Sequence, residues 1–411
     1  MLTTTRRPGA APQHAGSQDP QAPAVPEQAF VFSSPHRCLV ARGSLRRIEH
    51  PVHAQAGEGR DPSTAFLATV QQALDQARQL GQRHPLVLGA IPFDTRQPST
   101  LVVPREVEFI DREVLMSRAR SQPLHARVAA ARSIPDQQRF KQGVRQAIAN
   151  FQHSSIRKAV LSRLCEIELE QAPDTEQLLA NLMVQNPAAY HFRLPMGDGS
   201  ELVGASPELL LRLQDQRVET FPLAGTAARQ AASADDDAVA RRLRASSKDL
   251  HEHRLVVADI QERLRPLCDV LDVPAEPSLV ATPQLWHLGT PISGRLKAGE
   301  AAPLAALDLA CRLHPTPAVC GFPRLKARQL VQLIESFERG PFTGIVGWCD
   351  AQGQGEWVVT IRCATVQARQ LRLFAGVGVV EASCPDAEWA ETQAKLGTML
   401  RAIGLGPEVL A

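Results

Sequence analysis

Residues 343–402 read TGIVGWCDAQGQGEWVVTIRCATVQARQLRLFAGVGVVEASCPDAEWAETQAKLGTMLRA, and the chain is organised around them. Three apolar, β-rich runs alternate with polar turns, which predicts an antiparallel meander. The break after Val380 opens a helix. Ser383 is placed to cap it, Pro385 falls in its first turn, and Asp386 and Glu388 lie near the positive end of its dipole. Trp389, Leu396, Met399 and Ile403 recur at helical spacing and predict a buried stripe. Glu388, Glu391 and Lys395 fall on a face adjoining that stripe, just past the Gly-rich strand end Ala375-Gly376-Val377-Gly378. Two carboxylates and an ammonium beside a core face suit a metal and a carboxylate substrate. A solvated helix with a Glu–Lys pair gives the same pattern.

Composition narrows the classes. The chain has 411 residues, 44% of them hydrophobic, enough for one large or two ordinary domains. Lys and Arg number 45 against 43 Asp and Glu, without a long basic run, so neither nucleic acid nor an anionic membrane is expected as partner. No apolar stretch follows the two N-terminal arginines, as a secretory signal would require, and no run is long enough to span a bilayer. The eight cysteines include no Cys-x-x-Cys pair, which fits reduced thiols in a cytoplasmic protein. Cys165, Cys311 and Cys363 sit in apolar runs and read as core fillers.

Residues 1–28, rich in Ala, Pro and Gln, are expected to be a disordered tail. A first strand with a turn at Ser34-Pro35 follows, then a helix over 62–82 with Phe66, Val70, Ala73 and Ala77 on one side, and a buried strand at PLVLGAIPFD. Residues 105–135 read as a charged surface excursion, and Pro135-Asp136 starts a helix through Phe151. Strands are expected from Ile156, at AYHFRLP, at ELVGASPELLLRL with an interruption at Ser206-Pro207-Glu208, at RVETFPLAGTAAR and at LWHLGTP. Helices are expected over 174–186, from Lys248 with Leu250, Val256, Val257 and Ile260 buried, over 301–313 and over 324–337; 231–246 reads as a polar helix or loop. Antiparallel runs with helices between them predict an α+β fold, and no phosphate-binding Gly loop appears.

A few polar residues stand where chemistry could use them. Lys158 lies in a strand between Ile156 and Val160; buried, it must be paired or deprotonated, and at a sheet edge it would simply face water. Glu208 follows Pro207, which breaks the ladder and can re-aim a side chain; a carboxyl beside apolar surface has a raised pKa suited to a general acid. In His251-Glu252-His253, helix neighbours point about 100° apart and cannot converge on zinc. Glu252 and Asp249 share a side instead, and oxygen ligands suit Mg²⁺. His287 reads more simply as a satisfied core histidine. Arg362, mid-strand in VVTIRCA, needs an anion, either a substrate carboxylate or a structural glutamate.

In series, IRKAVLSR (156–163), GASPELLLR (204–212), PLAGTAAR (222–229), KDLHEH (248–253), LWHLGTP (285–291), LHPTPAVCGFP (313–323), GIVGWCD (344–350), GEWVVTIRCA (355–364), LFAGVGVV (373–380) and EWAETQAKL (388–396) resemble the motifs of the chorismate-utilising enzymes. The nearest likeness is to isochorismate synthases of the enterobactin or 2,3-dihydroxybenzoate siderophore type. The resemblance runs from about Phe30 to the C-terminus. It implies one α+β domain over residues 29–411, with antiparallel sheets flanked by helices, and a Mg²⁺-dependent site for chorismate. Lys158 matches the lysine that activates water for attack at C2, and Glu208 the acid that protonates the departing C4 hydroxyl. Glu252 and Glu391 match metal carboxylates, with Glu388 a further acidic position near the metal. Arg362, Lys395 and the Gly376 backbone match positions that hold substrate carboxylates; Thr226, His287 and Ala318 match positions around the ring. Lys158 together with Ala224 separates this chain from the anthranilate synthases, which carry glutamine at the first position, and from aminodeoxychorismate synthases, which carry a nucleophilic lysine at the second. No glutaminase subunit is therefore expected, and a monomer is the separate expectation for the assembly. Salicylate synthases share Lys158 and eliminate pyruvate in the same pocket, so they remain an alternative, as does a silent chorismate-binding subunit. Val319 stands where a leucine is usual, and Ser247 where an acidic residue often precedes the Lys-Asp pair.

Overall fold

The computed structural model describes residues 29–53, 61–298 and 305–410. The expected tail, residues 1–28, and the first turn of the helix expected over 301–313 lie outside the described residues. Within them the strands form two large antiparallel sheets and a small one.

The first sheet has a central run of Gly321–Phe322, Lys158–Leu169, Gln370–Val379, Cys363–Gln367, Glu201–Ser206, Tyr190–Pro195, Phe30–Ser33, Cys38–Arg42 and Glu106–Ile110, with Val128–Ile134 also paired to Lys158–Leu169. The second runs Cys268–Asp272, Ile292–Leu296, Arg217–Phe221, Leu209–Gln214, Gly355–Val359, Ile345–Asp350, Leu86–Ile91, Thr100–Val103 and Arg46–Ile48. The third is Leu223–Ala228, Leu285–Gly289 and Ser278–Ala281.

The two large sheets face each other. Phe30, Phe32 and Phe192 of the first meet Leu88, Val346 and Trp348 of the second in a dry layer. Each outer face is then covered by amphipathic helices. Thr64–Gln79 and Ser247–Leu264 bury Phe66, Val70, Val256 and Ile260 against the second sheet. Gln137–His153, Arg324–Ile334 and Pro385–Ile403 cover part of the first, with Phe140, Val331 and Trp389 against Leu161 and Val377. Layers of this kind follow from strands that must bury both faces. The α+β reading therefore holds, and no described helix is long and apolar enough to cross a membrane.

The expected meander differs in one decisive way. It contains four strands, and they divide between the sheets: Ile345–Asp350 and Gly355–Val359 belong to the second, Cys363–Gln367 and Gln370–Val379 to the first. The chain crosses at Thr360-Ile361-Arg362. Arg362 is thus not mid-strand; it sits at the crossing with φ +52°. The chain crosses again at Pro207-Glu208, between Glu201–Ser206 and Leu209–Gln214, and leaves the second sheet for the third at Pro222. The first two crossings run side by side: the Val359 N–H donates to the Glu208 carbonyl at 3.1 Å, and the Ala205 N–H to the Arg362 carbonyl at 3.0 Å.

Other local expectations shift. Residues 105–135 are not mere excursion but supply two strands, Glu106–Ile110 and Val128–Ile134, and the helix Arg112–Arg118. Their exposure on the sheet edge explains the polar composition. Residues 231–246 contain the helix Ser233–Ala245. On Ser247–Leu264 the buried face carries Glu252, His253 and Asp259 beside Val256 and Ile260, while Leu250 and Val257 are only half-buried. Ser383 does not cap the last helix; its hydroxyl takes the Val380 N–H at 3.1 Å.

Close sheet packing leaves no room for a side chain at Gly347. A Cβ there would overlap the Glu356 carbonyl and lie 2.8 Å from the Trp357 Cα, both fixed backbone. Gly347→Ala is expected to destabilise the protein by about 1–3 kcal/mol, seen as a lower urea midpoint; an unchanged midpoint would show that the two strands can part at little cost.

Candidate active site

The three crossings converge on one cavity. Pro207 and Glu208 enter it at one crossing, Leu223 to Thr226 just past the crossing at Pro222, and Ile361 and Arg362 at the crossing near Thr360. Pro207-Glu208 and Ile361-Arg362 lie outside the strands, and the ladder of the third sheet slips between Ala224 and Thr226, so side chains and N–H groups there can turn inward.

Glu208 is 4% exposed. Burial drives its carboxyl pKa up to about 7, against the Leu223 backbone N–H that donates to it and the charges of Lys158, Arg362 and Lys395. A protonated carboxyl near neutral pH is what a general acid needs. His287 lines the same cavity, with Nδ1 3.0 Å from Thr226 Oγ1 and Nε2 3.5 Å from Arg362 Nη2. Burial, then the positive charges of Arg362 and Lys395, hold its pKa well below the ordinary histidine value, so the ring is neutral. Burial likewise lowers Arg362 to about 10, which still leaves it a cation.

Lys158 begins the Lys158–Leu169 strand and has no exposed surface, which rules out the solvent-facing edge lysine. Its Nζ lies 3.0 Å from Glu252 Oε1. Burial pushes the Glu252 carboxyl upward, but Lys158 and Lys248 outweigh it and hold it below the usual value. The space for this pair exists because residue 378 is glycine: a Cβ there would overlap Glu252 Oε1 and lie 2.7 Å from Lys158 Cε.

The final helix contributes the face read from sequence. Lys395 Nζ is 2.6 Å from Glu391 Oε1 and donates to the Gly376 carbonyl at 2.8 Å. Glu388 is buried behind the lining residues, with Oε1 2.8 Å from Lys248 Nζ. Burial and then the Glu391 charge raise the Glu388 carboxyl in spite of that lysine. For Lys248, burial acts against the charge, yet Glu388 prevails and raises the ammonium pKa.

Of the residues singled out in the sequence, Glu208, Thr226, Glu252, His287, Ala318, Arg362, Gly376, Glu391 and Lys395 line the cavity; Lys158 and Glu388 stand behind it, each bonded to a charged partner. Sequence reasoning missed Lys248 and the apolar wall of Val160, Phe342 and Phe374, where the two phenylalanines stack at 5.0 Å between centroids. Aromatic residues in apolar runs read as core, and nothing in their spacing marks them as a wall.

Among the described residues no three His, Cys, Asp or Glu side chains already converge as a metal centre. The donor set still fits a hard divalent cation. Glu252 and Glu391 face one cavity, each beside a lysine that a cation could replace, and Mg²⁺ takes one or two carboxylates plus waters and substrate oxygens.

The family described as chorismate binding enzyme matches residues 102–404. The chain is 45% identical over 380 residues to isochorismate synthase EntC of Escherichia coli K12, covering 92% of this chain and 95% of that one. It is 40% identical to isochorismate synthase DhbC of Bacillus subtilis, over 92% and 94%. A crystal structure assigned as a 2,3-dihydroxybenzoate-specific isochorismate synthase, DhbC from Bacillus anthracis, superposes with TM-score 0.83 at 39% identity, over 92% and 97% of the chains. Anthranilate synthase component I from Streptococcus pneumoniae shares the fold at TM-score 0.70 and 19% identity, over 94% and 95%. The chain belongs to the chorismate-binding enzyme family.

A raised carboxyl pKa means that the folded state binds the Glu208 proton more tightly than the unfolded chain. Its protonated form therefore favours folding, and stability falls as pH rises between about 4.5 and 7. Glu208→Gln removes this dependence and is expected to raise stability at pH 8 by up to about 3 kcal/mol. Melting curves at pH 5 and pH 8 check it; equal effects at both would show that Glu208 is not protonated in the fold.

Proposed function

We propose that this chain is an isochorismate synthase that isomerises chorismate to isochorismate with Mg²⁺, and that it supplies a catechol siderophore pathway through 2,3-dihydroxybenzoate. The observation that carries the reading is a neutral-range acid, Glu208, lining the cavity, with a buried lysine, Lys158, just behind the wall and within electrostatic reach of it. Exchange of one ring hydroxyl for another needs a group to take a proton and a group to give one.

Arg362 and Lys395 attract the two carboxylates of chorismate, and the walls of Val160, Phe342 and Phe374 exclude water from the ring. Water forms a bond to C2 as the C4–O bond breaks and the ring double bonds shift. Lys158 takes the proton that the entering water loses. Glu208 gives the proton with which the C4 hydroxyl leaves as water. Glu252 and Glu391 would hold a divalent cation, which when bound would supply positive charge for the ring carboxylate. Neutral His287, fixed between Thr226 and Arg362, keeps Arg362 turned toward the cavity.

Purified chain incubated with chorismate and Mg²⁺ is expected to yield isochorismate in a reversible mixture, with none formed in EDTA. Lys158→Ala is expected to lower turnover by about 10²–10⁴-fold while the protein still folds. Product identification by NMR decides the matter. Salicylate with equimolar pyruvate would make the chain a salicylate synthase, and full activity in the lysine variant would remove the assigned base.

A further inference from the structure

Three wall positions of the cavity, Val160, Val319 and Thr343, come from three separate segments, and one side chain joins them. Arg339 is 4% exposed and lies outside the cavity lining. Its Nη2 donates to the Val160 carbonyl at 2.7 Å, and its Nη1 donates to the Val319 carbonyl at 2.8 Å and to Thr343 Oγ1 at 3.2 Å. The remaining N–H groups grip Glu335, Nε at 2.8 Å and Nη2 at 2.6 Å. All five donors of the guanidinium are therefore used. Its face stacks on Phe93, 4.3 Å from the ring centroid. Glu335 Oε1 also accepts the Ser162 N–H at 2.7 Å, so the pair holds the strand that begins at Lys158 on both sides of Leu161.

Thr343 adds a second reason for such a clamp. It is β-branched yet sits at φ +58°, a conformation that persists only where the surroundings enforce it. Its N–H is bound to the Thr360 carbonyl at 2.8 Å, at the crossing that presents Arg362, and its hydroxyl to Arg339.

We propose that Arg339, through its pair with Glu335, is a positioning residue for the isomerisation: it sets the wall against which the ring lies and thereby the distance from the ring to Lys158. This rests on the reading of the cavity given above. Lysine cannot take its place, because a single ammonium with three donors cannot reach three segments and a carboxylate at once. Arg339 lies outside the cavity lining, so it does not itself touch the substrate carboxylates.

The test compares steady-state kinetics and melting of the full chain with Arg339→Lys and Arg339→Ala, each with Mg²⁺ and chorismate. In Arg339→Lys, kcat is expected to fall about 100-fold, the effect of a misplacement near 1 Å. KM should stay within about threefold, since ground-state binding is kept. A surface cleft lined by Phe93, Asp94, Glu338 and Gly340 reaches Arg339 and Glu335 from outside, and gives a small cation a way in. Added guanidinium, but not equal sodium chloride, is therefore expected to restore part of kcat in Arg339→Ala. An unchanged kcat in folded Arg339→Lys would overturn the role. So would loss of activity only in step with loss of folding, without recovery on guanidinium. If the unaltered chain leaves chorismate untouched, the reading of the cavity fails first, whatever the variants do.

Discussion

A lysine with no exposed surface can exist between these sheets only because a carboxylate stands 3.0 Å from it. Taking a charge out of water costs several kcal/mol, and an opposite charge at contact distance is what offsets it. The neighbourhood repeats the solution twice, with Lys248 against Glu388 and Lys395 against Glu391. Each pair joins elements far apart in the chain or locks two turns of one helix. The strand from Lys158, the helix Ser247–Leu264 and the helix Pro385–Ile403 are thereby registered at one place. Glycine at 378 is the steric condition for the first pair, since any side chain would displace both partners.

The same pairs give the cavity its chemical poise. Glu252 and Glu391 are each balanced by a lysine, so an incoming cation would compete with an ammonium rather than fill an empty hole. Glu208 stands apart from these pairs. Among the described residues it has no contact ion pair, and burial dominates its titration. Two kinds of carboxyl, one paired with a lysine and the other dry with a raised pKa, thus line one cavity because their immediate neighbours differ.

Much of this was legible in the sequence. The last helix declared itself through its 3.6-residue stripe, and Glu391 and Lys395 followed from the face beside it. Lys158 stood out because a lysine between Ile156 and Val160 must be explained. The interruption at Pro207 pointed to Glu208. The exchange of strands between sheets was not legible, because GEWVVTIRCATV is apolar and β-rich throughout and a change of partner sheet alters neither property. The inward turn of Arg362 depends on a positive φ that its residue type does not advertise. Lys248 and Arg339 were not singled out, and the folded chain brings to them glutamates from 140 and four residues away. The detailed roles came from the resemblance, since spacing alone distinguishes neither acid from base nor ligand from counter-ion.

The crossings at Pro207-Glu208, Pro222 and Thr360 to Arg362 have a consequence for how such a protein can change over generations. A residue inside a ladder answers to two neighbouring strands and a packed face, so most substitutions there are selected against for folding. At a crossing the strand partners fall away, and the side chain answers mainly to whatever occupies the cavity. The framework can thus be inherited nearly intact while the crossings drift. A single architecture then persists while the residues at its crossings change, in keeping with the fold shared with a chain at 19% identity.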